Sequence, residues 1–255
     1  TLDAINRFMD SYIGFGTDFA PIFEAADNDP ECILAGGYAS LLGLMLETPD
    51  RLEIAGKYYG QAKAALDKGT ERERLFVASV GDLLNNRIGD QLVKLRQLVI
   101  DFPGDLFAAK LAQNSYFNIG DDQTMLWIAD QVIGRHRDCA YAYGMRAFGR
   151  EQTSQLNLAE EDGRRATEMQ RKEPWAHHAV AHVMLTQGRH EEGIKWMQNL
   201  SDEWEDRNSF MFTHNWWHQS LFFLEQEDFA TPLEIYDERV WGVDKTYSLD
   251  QVNAV

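Results

Sequence analysis

The chain is 255 residues long, 44% hydrophobic and 12% aromatic, with a formal net charge of −17 at pH 7. This composition supplies a core and excludes extended disorder, while the negative charge would repel a nucleic-acid backbone or an anionic membrane surface. Two cysteines, Cys32 and Cys139, are too few for a disulfide framework and lack metal-site spacing, and no apolar run of membrane-spanning length and no signal-peptide pattern is present, so a cytoplasmic protein is expected.

In chain order, residues 2–12 read as an amphipathic helix, followed by an apolar segment through Phe15, Phe19 and Phe23. Asp27-Asn-Asp-Pro makes a turn. Residues 31–46 are then apolar nearly all round, with Gly36, Gly37 and Gly43 allowing close packing. Thr48-Pro-Asp opens a helix to about residue 66, and 71–84 and 90–100 form the next pair, split by Asn85-Asn86. No β-alternation persists beyond a few residues, so the chain is predicted to be all-α.

From residue 104 a repeat emerges. Helices are predicted over 106–118 and 123–133, then 139–150 and 158–170, then 175–187 and 191–200, then 208–226 and 232–240. Gly120 and Gly188 mark turns inside pairs, and Pro103 and Pro174 mark boundaries between them. The interval of about 34 residues, helix–turn–helix each time, is the tetratricopeptide period. Trp216, Ser220, Phe223, Phe229 and Tyr236 supply the large, small, large, large and large residues that such a repeat wants. The expected architecture is one domain of tetratricopeptide-like repeats stacked into a right-handed superhelix: divergent helical pairs over 1–103, recognisable repeats over 104–241, and a further repeat or tail over 242–255. Trp241-Gly-Val-Asp-Lys-Thr-Tyr-Ser is not a polar capping helix, so more chain or a second copy, giving a homodimer, is expected to cover that end.

Five of the seven histidines fall in two short segments, His177-His178 with His182, and His214 with His218. Each of the pairs His178/His182 and His214/His218 is spaced i, i+4, which puts its rings on one helix face. In a stacked solenoid the first helix of each repeat lines the concave side. Aligned on the repeat, that side receives Lys110, Asn114, Tyr141, His178, His182, His214, Asn215, Trp217 and His218. Trp196 and Trp216 read as core.

The two histidine motifs also carry a resemblance. His178-Ala-Val-Ala-His182, His214-Asn-Trp-Trp-His218 and Ile235-Tyr-Asp237 are similar to the signature of the tetratricopeptide repeat protein 38 family, with a weaker likeness in Leu106-Phe-Ala-Ala-Lys and Ser115-Tyr-Phe-Asn-Ile-Gly. The resemblance implies a tetratricopeptide-type fold and a longer natural protein of which this chain is the N-terminal part. It assigns no biochemical role.

Two functional readings follow. One is a scaffold that binds a peptide, protein or small-molecule ligand in the histidine- and tryptophan-lined groove, with neither nucleic acid nor membrane as partner. The other is an enzyme or metal-binding protein in which His178, His182, His214 and His218 ligate a divalent ion such as zinc, or act as general acid and base on a small polar substrate. Facing pairs on adjacent helices about 10 Å apart can bring four ring nitrogens together. Against metal stands the lack of a carboxylate in either motif, and buried histidines that merely pack between helices are the plainer alternative. Gly14-Phe-Gly16 lacks the remainder of a dinucleotide-binding pattern, and no phosphate loop, EF-hand or nucleophile elbow occurs.

Overall fold

The computed structural model describes residues 1–241, and the predicted tail over 242–255 lies outside them. Helices are α1 (Leu2–Gly14), α2 (Pro21–Asn28), α3 (Ile33–Met45), α4 (Arg51–Ala64), α5 (Glu71–Leu84), α6 (Ile88–Asp101), α7 (Leu106–Phe117), α8 (Asp122–Ile133), α9 (Ala140–Gln152), α10 (Leu156–Met169), α11 (Pro174–Thr186), α12 (His190–Leu200), α13 (Ser209–Leu224) and α14 (Ala230–Ile235). Short 3-10 turns stand at Leu66–Lys68 and Ser201–Trp204, and α14 runs on into a π-helical turn at Tyr236–Trp241. No strand occurs among the described residues, and none of their helices is long and apolar enough to cross a membrane.

The repeat is written in the backbone. Asn86, Gly120, Ser154, Gly188 and Glu227 all have φ between 56° and 74°, and the first four stand 34 residues apart. After each of them, the next residue's N–H donates to a carbonyl five residues back: Arg87 to Asp82, Asp121 to Tyr116, Gln155 to Arg150, Arg189 to Met184, and Asp228 to Phe223. This six-to-one bond closes a helix whose following residue is left-handed, and it satisfies a carbonyl that the helix end would orphan. The regular turn therefore begins at Asn86, inside the stretch expected to be divergent. Only Gly120 and Gly188 use glycine. Ser154 and Glu227 adopt the same conformation with a Cβ, at a cost of roughly 1 kcal/mol each.

The helices gather into two compact units, Thr1–Ile13 with Asp18–Arg135, and Gly14–Thr17 with the described residues from His136 to Trp241. In the first, Phe8 is wholly buried and packs its ring on Phe19, Tyr38 and Phe107 at centroid distances of 5.6, 5.1 and 5.8 Å. Thr70 and Glu73 form a reciprocal capping box at the start of α5. Burial works to raise the Asp82 carboxyl, but Lys94 and Arg87 more than offset it and hold it below the usual range.

In the second unit, α9 and α10 form one helix pair and α11 and α12 the next. Val180, Met184, Met197, Leu200, Trp204 and Phe222 make its buried core, with Trp196 and Trp216 packed against it. Asp162 on α10 is buried and accepts from Arg146 at 2.7 Å through both oxygens and from Arg150 at 2.5 Å, tying α10 to α9. The helices approach closely where the side chain is missing. A Cβ on Gly163 would lie 2.4 Å from Val180 Cγ2, and one on Gly193 would lie 2.0 Å from the Phe222 ring. Helix α14 starts two residues before Pro232, because Asp228 accepts hydrogen bonds from the backbone of Ala230 and Thr231 and from the Thr231 hydroxyl. Phe229, expected at a large repeat position, is 64% exposed, since the chain has not yet entered the helix there.

Gly193→Ala gains about 1 kcal/mol of helix propensity but must displace a fully buried ring, which costs about 1–3 kcal/mol or more. The net expectation is a melting temperature lowered by several degrees, and a calorimetric scan at or above wild type would refute the close-approach argument. Glu227→Gly, at an exposed left-handed position, is expected to raise the denaturation midpoint by an amount equivalent to about 1 kcal/mol. Urea unfolding monitored by far-UV circular dichroism decides it.

Candidate metal centre

Helix α11 begins at Pro174, whose missing N–H costs nothing at a first-turn position. The buried Glu173 side chain caps it by accepting the Ala176 N–H. Helix α13 is capped by Asn208, which accepts from the Met211 N–H at 2.9 Å. His178 lies five residues after its cap and His214 six after its own. The i, i+4 spacing puts each pair on one face of its helix.

The four rings meet. His178 Nε2 and His214 Nε2 are 2.8 Å apart, His182 Nε2 and His218 Nε2 3.0 Å, and His214 Nε2 and His218 Nε2 3.1 Å. One ligand atom from each of the four histidines fits within 4.8 Å of all the others. Separate two-centre hydrogen bonds do not account for all three contacts. An imidazole nitrogen has either one proton or one lone pair in the ring plane, yet His218 Nε2 and His214 Nε2 each face two others. Four nitrogens at the corners of a zinc tetrahedron, each about 2.05 Å from the ion, would stand about 3.3 Å apart. The three closest contacts are a few tenths of an ångström tighter and the rest lie within 4.8 Å, so seating a cation asks the rings to spread at those three contacts. The donor set fits a borderline divalent ion.

The surroundings hold the rings in place. Trp175 stacks on His178 with centroids 4.6 Å apart and planes 22° apart, and Phe148 lies 5.5 Å from the same ring. Phe210 stacks on His214 at 5.1 Å, and Trp217 contacts His214 at 5.6 Å and His218 at 4.7 Å. His178 is 2% and His218 4% exposed, whereas His182 and His214 are half-buried. Burial first, and then the neighbouring His214 and His182, hold His218 well below the ordinary imidazole range. The ring is therefore neutral at physiological pH, the form a metal requires. Glu151 on α9 brings Oε2 to 3.3 Å from His182 Nδ1.

The other predicted site residues divide. Trp217 touches the cluster, and Asn215 is fully buried beside it in sequence, its amide reaching the Pro174 carbonyl at 3.5 Å. Tyr141 is half-buried in the same unit, its hydroxyl 2.7 Å from where a Gly14 Cβ would stand. Lys110 and Asn114 belong to the first unit, where Lys110 is 1% exposed and Asn114 donates to the Tyr12 hydroxyl at 3.2 Å. Lys110 and Asn215 thus offer no open surface to a ligand. His177, adjacent to the first pair, points into the core. Its Nδ1 accepts from Trp204 at 3.1 Å, and burial pushes it down to about 3. Sequence reasoning missed Glu151, Trp175, Phe148 and Phe210. The stacking of Trp175 three residues before His178 and of Phe210 four before His214 follows helical spacing and could have been found; Glu151 carries no such signal.

The fold and its turns define an all-α protein of tetratricopeptide-like helical repeats. Among solved structures, a tetratricopeptide repeat protein from Parabacteroides merdae superposes with a TM-score of 0.59 at 12% identity, covering 93% of this chain and 90% of that one. MamA matches with a TM-score of 0.49 at 11% identity, covering 63% of this chain and 91% of that one. The first likeness concerns the path of the backbone and leaves function open. No protein-family model matches the chain.

Proposed function

We propose that this protein is a metal-binding helical-repeat scaffold, in which His178, His182, His214 and His218 hold one divalent ion, zinc or a similar borderline ion, between α11 and α13. The observation that carries the reading is the convergence of four Nε2 atoms whose three contacts cannot all be separate two-centre hydrogen bonds. Four protein ligands fill a tetrahedral shell and leave no position for substrate, which favours a structural ion over a catalytic one. When bound, the ion supplies a crosslink between consecutive repeats. The chain's own residues keep His218 neutral by burial and orient the rings by stacking His178 on Trp175 and His214 on Phe210 and Trp217. Membership of the tetratricopeptide repeat protein 38 family is part of the same proposal and rests on the two histidine motifs. Capture of a protein, peptide or small molecule by the scaffold is compatible with it, on surfaces other than the buried cluster.

Elemental analysis after reconstitution with Zn²⁺ and removal of excess is expected to find one ion per chain. His182→Ala and His218→Ala should each lower that occupancy severely while leaving helicity unchanged. Retention of full occupancy in both variants, or no uptake of Zn²⁺, Co²⁺, Ni²⁺ or Cu²⁺ by wild type, overturns the proposal. Zinc held at a thousand times its dissociation constant contributes about 4 kcal/mol, so chelation is expected to lower the melting temperature by on the order of 10 °C. Differential scanning calorimetry with and without chelator measures it, and superimposable scans would show that the ion does not brace the fold.

A further inference from the structure

We infer that Glu151 is the outer carboxylate of the metal centre, holding His182 by its Nδ1 and setting negative charge against the imidazole shell. The inference rests on the metal reading above and adds a residue from a third helix, so that the site draws on α9, α11 and α13.

Geometry supplies the first argument. Glu151 Oε2 lies 3.3 Å from His182 Nδ1. The contact is at ion-pair distance and is not a formed hydrogen bond; a carboxylate accepts and an imidazole nitrogen donates, so a small turn of either group that closes it puts the ring proton on Nδ1. The lone pair of His182 is then left on Nε2, the atom that faces the other three histidines. A ligating histidine whose far nitrogen is held by a carboxylate is oriented and made more basic, and loss of that partner weakens metal affinity by about 10–100-fold. Tautomer and orientation are both set from outside the shell.

The second argument is the placement of the carboxylate. Its Oε2 also accepts from Gln152 Nε2 at 2.6 Å, which restrains the oxygen. The side chain is 10% exposed, and Gln152 is a neutral group. Glu151 moreover sits in the last turn of α9, where the helix dipole disfavours negative charge by about 0.3–1 kcal/mol. A largely buried carboxylate at a helix C-terminus is poorly placed unless positive charge lies nearby. Four neutral imidazoles around a divalent ion leave two positive charges uncompensated, and Glu151 faces them.

The test uses the whole chain. Zn²⁺ affinity is measured by competition with a chromophoric chelator for wild type, Glu151→Gln and Glu151→Ala, and the visible spectrum of each Co²⁺-loaded protein is recorded. Glu151→Gln should bind about tenfold more weakly and Glu151→Ala 10–100-fold more weakly. Stoichiometry should be unchanged, because the four nitrogens remain, and the Co²⁺ bands should shift as His182 loses its anchor. Metal-free Glu151→Ala should melt no lower than metal-free wild type, whereas a residue that only supports the fold would lower it. If wild type and both variants bind Zn²⁺ equally with identical Co²⁺ spectra, the role of Glu151 is refuted and the metal centre stands. If wild type itself takes up neither ion, both proposals fall together.

Discussion

The second unit depends on how closely α12 can lie against α13. At Gly193 the α12 backbone comes near enough to the Phe222 ring that any side chain there would overlap it. Phe222 is in turn wholly buried against Met197, Leu200 and Trp204. This contact settles both the height and the rotation of α13. Gly163 plays the same part between α10 and Val180 of α11. Because Val180 lies between His178 and His182, and Phe222 one turn beyond His218, the packing that buries the apolar faces also aims the polar ones. Close-packed interiors move in discrete steps, so the rings are positioned by the core and not by their own interactions.

A cluster of four imidazoles is an expensive thing to place in a repeat protein. Buried polar rings need partners, and a nitrogen that faces two other nitrogens cannot satisfy both. The aromatic side chains around the site contribute stacking and exclude water, which raises the cost of leaving the nitrogens unmatched. An apolar wall with polar atoms turned inward is the arrangement a soft or borderline cation uses, and the same wall would be a defect in a protein that bound only peptides. Charge tells the same story at longer range: the chain's net −17 favours cations over anions as partners.

The repeats on either side are ordinary by comparison. Their turns are closed by the same backbone bond whether the left-handed residue is asparagine, glycine, serine or glutamate. Ion pairs such as Asp162 with Arg146 and Arg150 tie α9 to α10. Those contacts keep the last turn of α9, and Glu151 with it, next to α11. The carboxylate reaches His182 through a helix that has no histidine of its own.

Much of this was legible in the sequence. Periodicity and the Gly, Pro and Asn punctuation determined an all-helical chain with a 34-residue repeat, because those residues act on their immediate neighbours. The i, i+4 spacing likewise determined that His178 shares a face with His182, and His214 with His218, since helical geometry alone decides it. Left-handed turns at Ser154 and Glu227 were not legible, because neither residue prefers that conformation and only the packing of the flanking helices imposes it. Nor did the sequence distinguish an open groove from a buried cluster: Lys110 and Asn215 fall on a plausible lining face, but their burial depends on which helices lie across them. That the two histidine pairs face each other, and that Glu151 joins them, was decided by tertiary structure alone. The rotation of α13 is set by the seating of Phe222 over Gly193, and a carboxylate on another helix is brought to His182 by packing that leaves no mark in either motif.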